Sequence, residues 1–101
     1  MNLPPLLQKR ILYILYHIPQ LRAGTLQADA RWLTCVEETI QQIPSEEKRR
    51  FFNAYFILGQ QPDEILFDLY IEHSTLYAWR RELLWQTALN AARLGLILTM
   101  E

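Results

Sequence analysis

Two short clusters in this chain carry the residue types that grip a nucleic-acid duplex. Ser74-Thr75-Leu76-Tyr77-Ala78-Trp79-Arg80-Arg81 sets two hydroxyls, an aromatic phenol and two adjacent guanidiniums within eight residues. A guanidinium can pair bidentately with the O6 and N7 of guanine, and hydroxyls bond either to base edges or to phosphates. Lys48-Arg49-Arg50 is a second cationic cluster, suited to phosphate oxygens. Catalytic chemistry is harder to assemble. His17 stands alone, and His73 between Glu72 and Ser74 is weak evidence for a triad, because triads are built in space from distant segments. The three glycines, Gly24, Gly59 and Gly95, are too scattered for a phosphate-cradling loop. Cys35 has no cysteine or histidine at metal-ligand spacing. The expectation is a binding protein, with no catalytic residue, cofactor or metal.

The first cluster needs a helix to present it, and the residues before it supply a partner. Pro62 suits a first helical position, where a missing N–H costs nothing. Asp63 and Glu64 place negative charge at the helix's positive end. Ile65, Leu66 and Leu69 share one face, Ile71 follows the turn, and Ser74 can cap a second helix whose apolar positions are Leu76, Trp79 and Leu83. This spacing expects Leu69, Ile71, Leu76, Trp79 and Leu83 in the core. It suits a helix-turn-helix, which lays its second helix in the DNA major groove, and it equally suits a helical hairpin that only fills a core.

The rest of the chain reads as helical support. Leu3 to His17 forms an N-terminal helix with Leu7, Ile11, Ile14, Leu15 and Ile18 on one face, and Pro19 either ends it or starts a short turn stopping at Gly24. Residues 24–30 are the one linker. A helix over about 29–42 buries Trp32, Leu33, Val36, Ile40 and Ile43. Pro44-Ser45 breaks and restarts the chain, with Ser45 as cap and Phe51, Phe52, Tyr55, Phe56 and Leu58 running to Gly59. The final helix extends from Ser74 to about Leu98. Tyr77 and Trp85 cannot both share the buried stripe of Leu76, Trp79 and Leu83. No alternating strand pattern occurs. The prediction is an all-α fold of about five helices over residues 1–101: an N-terminal helix in 1–23, a two-helix support in 29–58, and a helix-turn-helix with an extended last helix in 62–98.

Composition sets the setting. Half of the 101 residues are hydrophobic and 12% are aromatic, enough for a real core. The lone cysteine favours a reducing, cytoplasmic compartment and a buried role. No apolar run reaches the roughly 20 residues of a membrane span. Residues 1–18 lack the charged start and small-residue cleavage site of a secretory signal. Charge runs against strong DNA binding: the net charge is −1, and residues 45–84 carry five basic against seven acidic side chains, net −2. Phosphate neutralisation drives much of a DNA-binding domain's affinity, so weak or partner-assisted binding is expected.

The order of signals resembles a known family. Trp32-Leu33, Val36-Glu37-Glu38-Thr39-Ile40, Ile43-Pro44-Ser45-Glu46-Glu47-Lys48-Arg49-Arg50, Tyr55-Phe56 ahead of Gly59, Asp63-Glu64-Ile65 and Ser74 to Arg81 follow one another as in the ArpU/RinA-like phage late transcription regulators. These in turn look like the fourth region of bacterial sigma factors. Leu12 to Leu21 is similar to that family's N-terminal helix. The resemblance implies a sigma-region-four-like helix-turn-helix in a phage or prophage regulator, with Thr75, Ala78 and Arg81 toward base edges and Arg80 or Lys48–Arg50 on phosphates. It implies double-stranded DNA as partner. Separately, Leu83 to Leu98 is rich in apolar and small residues and is expected to bury its face either on the N-terminal helix or on a second copy of the chain, and a homodimer would match a palindromic operator. The chain departs from the pattern at Leu66, where a small residue is usual, and at Tyr70, where glycine is common. A left-handed Tyr70 would cost roughly 1–2 kcal/mol, so a remodelled turn is expected. These departures keep a second reading open: a helix-turn-helix that has lost DNA and binds RNA polymerase, a sigma factor or a repressor.

Overall fold

A computed structural model describes residues 3–97. Among them the chain forms six α-helices and one π-helical turn, with no strand. The helices are α1 (Pro5–Tyr16), α2 (Ile18–Ala23), α3 (Arg31–Gln41), α4 (Glu46–Phe52), α5 (Pro62–Leu69) and α6 (His73–Arg93). The π-helical turn, Asn53–Ile57, continues α4. The all-α expectation therefore holds. The expected end of the last helix near Leu98 lies outside the described residues, and α6 itself stops at Arg93 before a left-handed Gly95.

Local chemistry explains most boundaries. Pro19 falls in the first turn of α2, which closes on a left-handed Gly24. The Ser45 hydroxyl accepts the Lys48 N–H at 3.2 Å, as a helix cap should. Asp29 accepts the Arg31 N–H at 2.9 Å ahead of α3, and the Arg31 guanidinium holds its carboxyl down to about 2. The same guanidinium donates from Nη1 to the Leu94 carbonyl at 2.9 Å, a cation at the negative end of α6. The π turn has a cost at its exit. Its wider coil shifts the phase of the side chains that follow, and Leu58 ends 62% exposed instead of extending the buried aromatic face.

The core gathers Phe51, Phe52 and Phe56 from the α4–π segment with Ile11, Leu15 and Ile18 from the N-terminal helices, Val36 from α3, and Ile65 and Leu76 from the last two helices. The Phe52 and Phe56 rings lie 5.2 Å apart, and Phe51 meets Trp79 edge-on at 5.8 Å. Of the five core residues expected around the turn, Leu69, Leu76 and Leu83 are buried, whereas Ile71 and Trp79 are half-buried and pack on the core's rim.

α6 packs along α3, and also on α1 and α5. The α3–α6 seam is partly polar. Asn90 donates to the Thr39 hydroxyl and to Gln42 Oε1, both at 2.9 Å, and Gln86 donates to the same Gln42 oxygen at 2.8 Å. Thr39 and Thr87 each return a hydroxyl proton to the carbonyl four residues earlier, and Cys35 Sγ donates to the Thr87 carbonyl at 3.4 Å. Cys35 is fully buried, and burial pushes its thiol up to about 11.

The turn between α5 and α6 corrects two expectations. Tyr70 is not avoided by a remodelled turn: it sits in the left-handed region at φ 55°, ψ 44°. Its N–H, and that of Ile71 at 3.3 Å, both donate to the Leu66 carbonyl. Glycine normally serves this type of helix end, because a Cβ there crowds the following carbonyl. The abrupt reversal also lets the next helix restart early. α6 begins at His73 with Glu72 preceding it in extended conformation, so Ser74 lies inside the first turn and caps nothing. Leu66 is accommodated half-buried at the core's rim.

The Tyr70 side chain is 91% exposed, so removing it sacrifices little packing. Tyr70→Gly should relieve the roughly 1–2 kcal/mol of left-handed strain while adding unfolded-state entropy, for a net gain of about 1 kcal/mol. Urea denaturation measures it. A destabilised Tyr70→Gly variant would mean that the ring contributes contacts the structure lacks.

Candidate nucleic-acid interface

The three-residue link holds α6 with the outer face of its first turns uncovered. Ser74, Tyr77 and Arg81 are exposed there, Tyr77 by 46%, and Thr75 and Ala78 are half-buried beside them. On a helix of 3.6 residues per turn these positions fall on one side. The His73 ring lies nearly parallel to the Tyr77 ring, 13° between planes at 6.4 Å, so the phenol leans on the helix start. Arg81 forms no ion pair among the described residues.

Arg80 and Arg81 are adjacent in sequence but do different things. Arg80 is half-buried and its Nε–H donates to the Tyr55 hydroxyl at 3.0 Å. The Tyr16 hydroxyl donates to the same oxygen at 3.2 Å. The trio ties α6 to the π turn and, through Tyr16, to α1. Burial, reinforced by the bond to Tyr55, pushes the Tyr16 phenol up to about 12.

The Lys48–Arg50 cluster is not delivered whole to this face. Lys48 is ion-paired with Glu82 of α6 and lies 6.0 Å from the Trp79 ring centre. Arg49 is exposed, 4.0 Å from Glu46. Arg50 is exposed and lines a cleft with Asp68 and Leu69 of α5, away from α6. Of the nine residues singled out from sequence, Ser74, Thr75, Tyr77, Ala78 and Arg81 therefore share a surface. Arg80 flanks them from within, Lys48 is neutralised, and Arg49 and Arg50 point to other business. Sequence reasoning missed Tyr55 and Tyr16 as the partners of Arg80, because they lie 25 and 64 residues away with no local signal.

The neighbouring surface of α5 has the opposite character. Asp63, Glu64, Asp68 and Glu72 are exposed and form no ion pair among the described residues. On the same helix Phe67 is 78% exposed, and Tyr70 at the helix end is 91% exposed. No group of three or more histidines, cysteines or carboxylates lies close enough to hold a metal ion among the described residues. No described helix is long and apolar enough to cross a membrane. Comparison with known protein families, with curated proteins and with solved structures found no match to this chain.

The Tyr16–Tyr55–Arg80 trio carries a pH signature. A phenol whose folded pKa is raised keeps its proton while the unfolded chain has lost it. The stability it contributes is whole below its ordinary value of 10.0 and is lost as pH climbs toward about 12. In a spectrophotometric titration at alkaline pH, Tyr16→Phe should remove an ionisation step near pH 12 and flatten the fall in stability over that window. An unchanged alkaline titration would mean that Tyr16 is not held in this way.

Proposed function

We propose that the chain is a phage- or prophage-type transcription regulator that binds double-stranded DNA, with α5 and α6 acting as a helix-turn-helix and α6 entering the major groove. The observation that carries this reading is the left-handed link at Tyr70. A strained, solvent-facing tyrosine has no packing reason to hold that conformation, whereas the relative setting of α5 and α6 demands it. That setting leaves the start of α6 bare. A helix with side chains is about 10–12 Å across, and the major groove is about 12 Å wide. Ser74, Tyr77, Ala78 and Arg81 then face the bases. Arg81 is the specificity residue, with its guanidinium able to take the O6 and N7 of a guanine, and the Tyr77 ring offers an apolar surface to a thymine methyl. Arg80, held by Tyr55, serves the backbone. The sequence resemblance to ArpU/RinA-like regulators points the same way.

The charge distribution limits affinity. Lys48 is cancelled by Glu82, and the exposed carboxylates of α5 repel phosphates. With two or three phosphates neutralised, log K should fall against log salt with a slope of only about −2 to −3.

A second reading is favoured by one observation: Phe67 and Tyr70 stand exposed on the segment that carries the exposed Asp63, Glu64, Asp68 and Glu72. That acidic and aromatic face suits a basic protein surface better than a duplex, and it supports a protein-interaction module for RNA polymerase, a sigma factor or a repressor.

A gel shift with DNA from upstream of the chain's own gene separates the two. The DNA reading expects retardation at low salt, and Arg81→Ala should relax base preference by about 1–3 kcal/mol without unfolding the protein. Failure of the folded chain to retard any duplex at low salt would transfer the function to the protein-binding reading.

A further inference from the structure

A recess of about 310 Å³ opens between α1 and α6, one turn past the bare face described above. Gln8 of α1 and Leu3 just ahead of that helix form one wall, and Tyr77, Arg80, Arg81 and Trp85 line the α6 side. Among the described residues, two guanidiniums border it and no carboxylate does. Arg80 spends its Nε proton on Tyr55 and also interacts with the Tyr16 phenol, but no carboxylate pairs with its guanidinium among the described residues. Arg81 is unpaired there too, and the Gln8 side chain makes no hydrogen bond among the described residues. The walls thus offer unspent N–H donors to an anion and aromatic surfaces to whatever carries it.

We propose that this recess seats a backbone phosphate of the bound duplex, with Arg80 neutralising it and Gln8 donating its amide from α1. The proposal rests on the DNA-binding reading and adds α1 to the interface. Tyr77 belongs both to the bare face and to the recess, so the two surfaces are continuous. A helix lying in the major groove has a row of phosphates on either side, and a recess flanking it one turn along falls where such a row passes. Trp85 and Tyr77 give the attached deoxyribose apolar walls. An isolated two-helix unit could not build this site, since one wall comes from α1.

The test uses the full chain and the upstream duplex, with affinity measured by fluorescence anisotropy over a range of salt. Gln8→Lys adds a cation at the recess and should steepen the salt slope by about 0.9. Gln8→Glu should weaken binding several-fold at low salt. Lys9→Gln, a charge change at the next position and outside the recess, should leave the slope alone. If the wild-type chain binds the duplex but both Gln8 variants keep its slope, or if Lys9→Gln shifts it equally, the recess assignment is overturned while the DNA reading stands. If neither the wild-type chain nor Gln8→Lys binds any duplex, both fall. Inorganic phosphate, followed by the NMR signal of the Trp85 indole N–H, distinguishes the source. Saturation at submillimolar free phosphate would overturn the backbone assignment in favour of a small-anion site, and only weak, unsaturated shifts are expected.

Discussion

The hydrogen-bonded seam between α3 and α6 is what the remaining geometry hangs from. An apolar interface between two helices tolerates a shift of register, because one methyl packs much like another. Asn90 bonded to Thr39 and Gln42, and Cys35 bonded to the Thr87 carbonyl, do not tolerate it, because a slip would strand buried polar atoms at a cost of roughly 1–3 kcal/mol each. Every buried polar side-chain atom among the described residues has a partner. The C-terminal half of α6 is thereby clamped, and Arg31 on the Leu94 carbonyl secures its end. Since α6 is one unbroken helix, fixing one half fixes the other. The start of α6 is then a rigid probe, and the short link at Tyr70 decides how α5 lies against it.

The two constraints together explain why a costly tyrosine conformation persists. With α6 set by the seam and α5 set by Ile65 and Leu69 in the core, three residues must join them. Only a left-handed residue reverses the chain that quickly, so Tyr70 takes the strain although its side chain gains nothing from it. The same rigidity sorts the cations. Arg80 faces inward to the phenols of Tyr55 and Tyr16, Lys48 is drawn to Glu82, and Arg81 forms no ion pair on the exposed side of α6 among the described residues. A surface with so few unpaired cations next to an acidic α5 has little to offer salt-driven attachment to phosphates.

Much of this was legible in the sequence, for identifiable reasons. Signals that act within one or two turns read correctly: Ser45 as a cap, Pro62 at a helix start, Gly24 and Gly59 as stops, and the apolar spacing of the helices. Two local signals misled. The residue type at Tyr70 argued against a left-handed turn because tertiary demand outweighed intrinsic preference, and the early restart of α6 turned Ser74 from a cap into a first-turn residue. The long-range partners were invisible. Nothing near Asn90 shows that it meets Thr39, and nothing near Lys48 shows that Glu82, 34 residues away, neutralises it. The five positions that share the α6 face were readable because helical periodicity alone brings them together. Their separation from Arg49 and Arg50 was not.

On the proposed reading, the uncovered start of α6 meets DNA. Backbone amide NMR of the labelled chain, titrated with duplex from upstream of its own gene, tests it residue by residue. The account predicts the largest shifts at Ser74, Tyr77, Ala78 and Arg81, with smaller ones at Gln8 and little change at Asp63, Phe67 or Asp68. Shifts centred on the acidic face of α5, or no shifts at low salt from a folded chain, would contradict it.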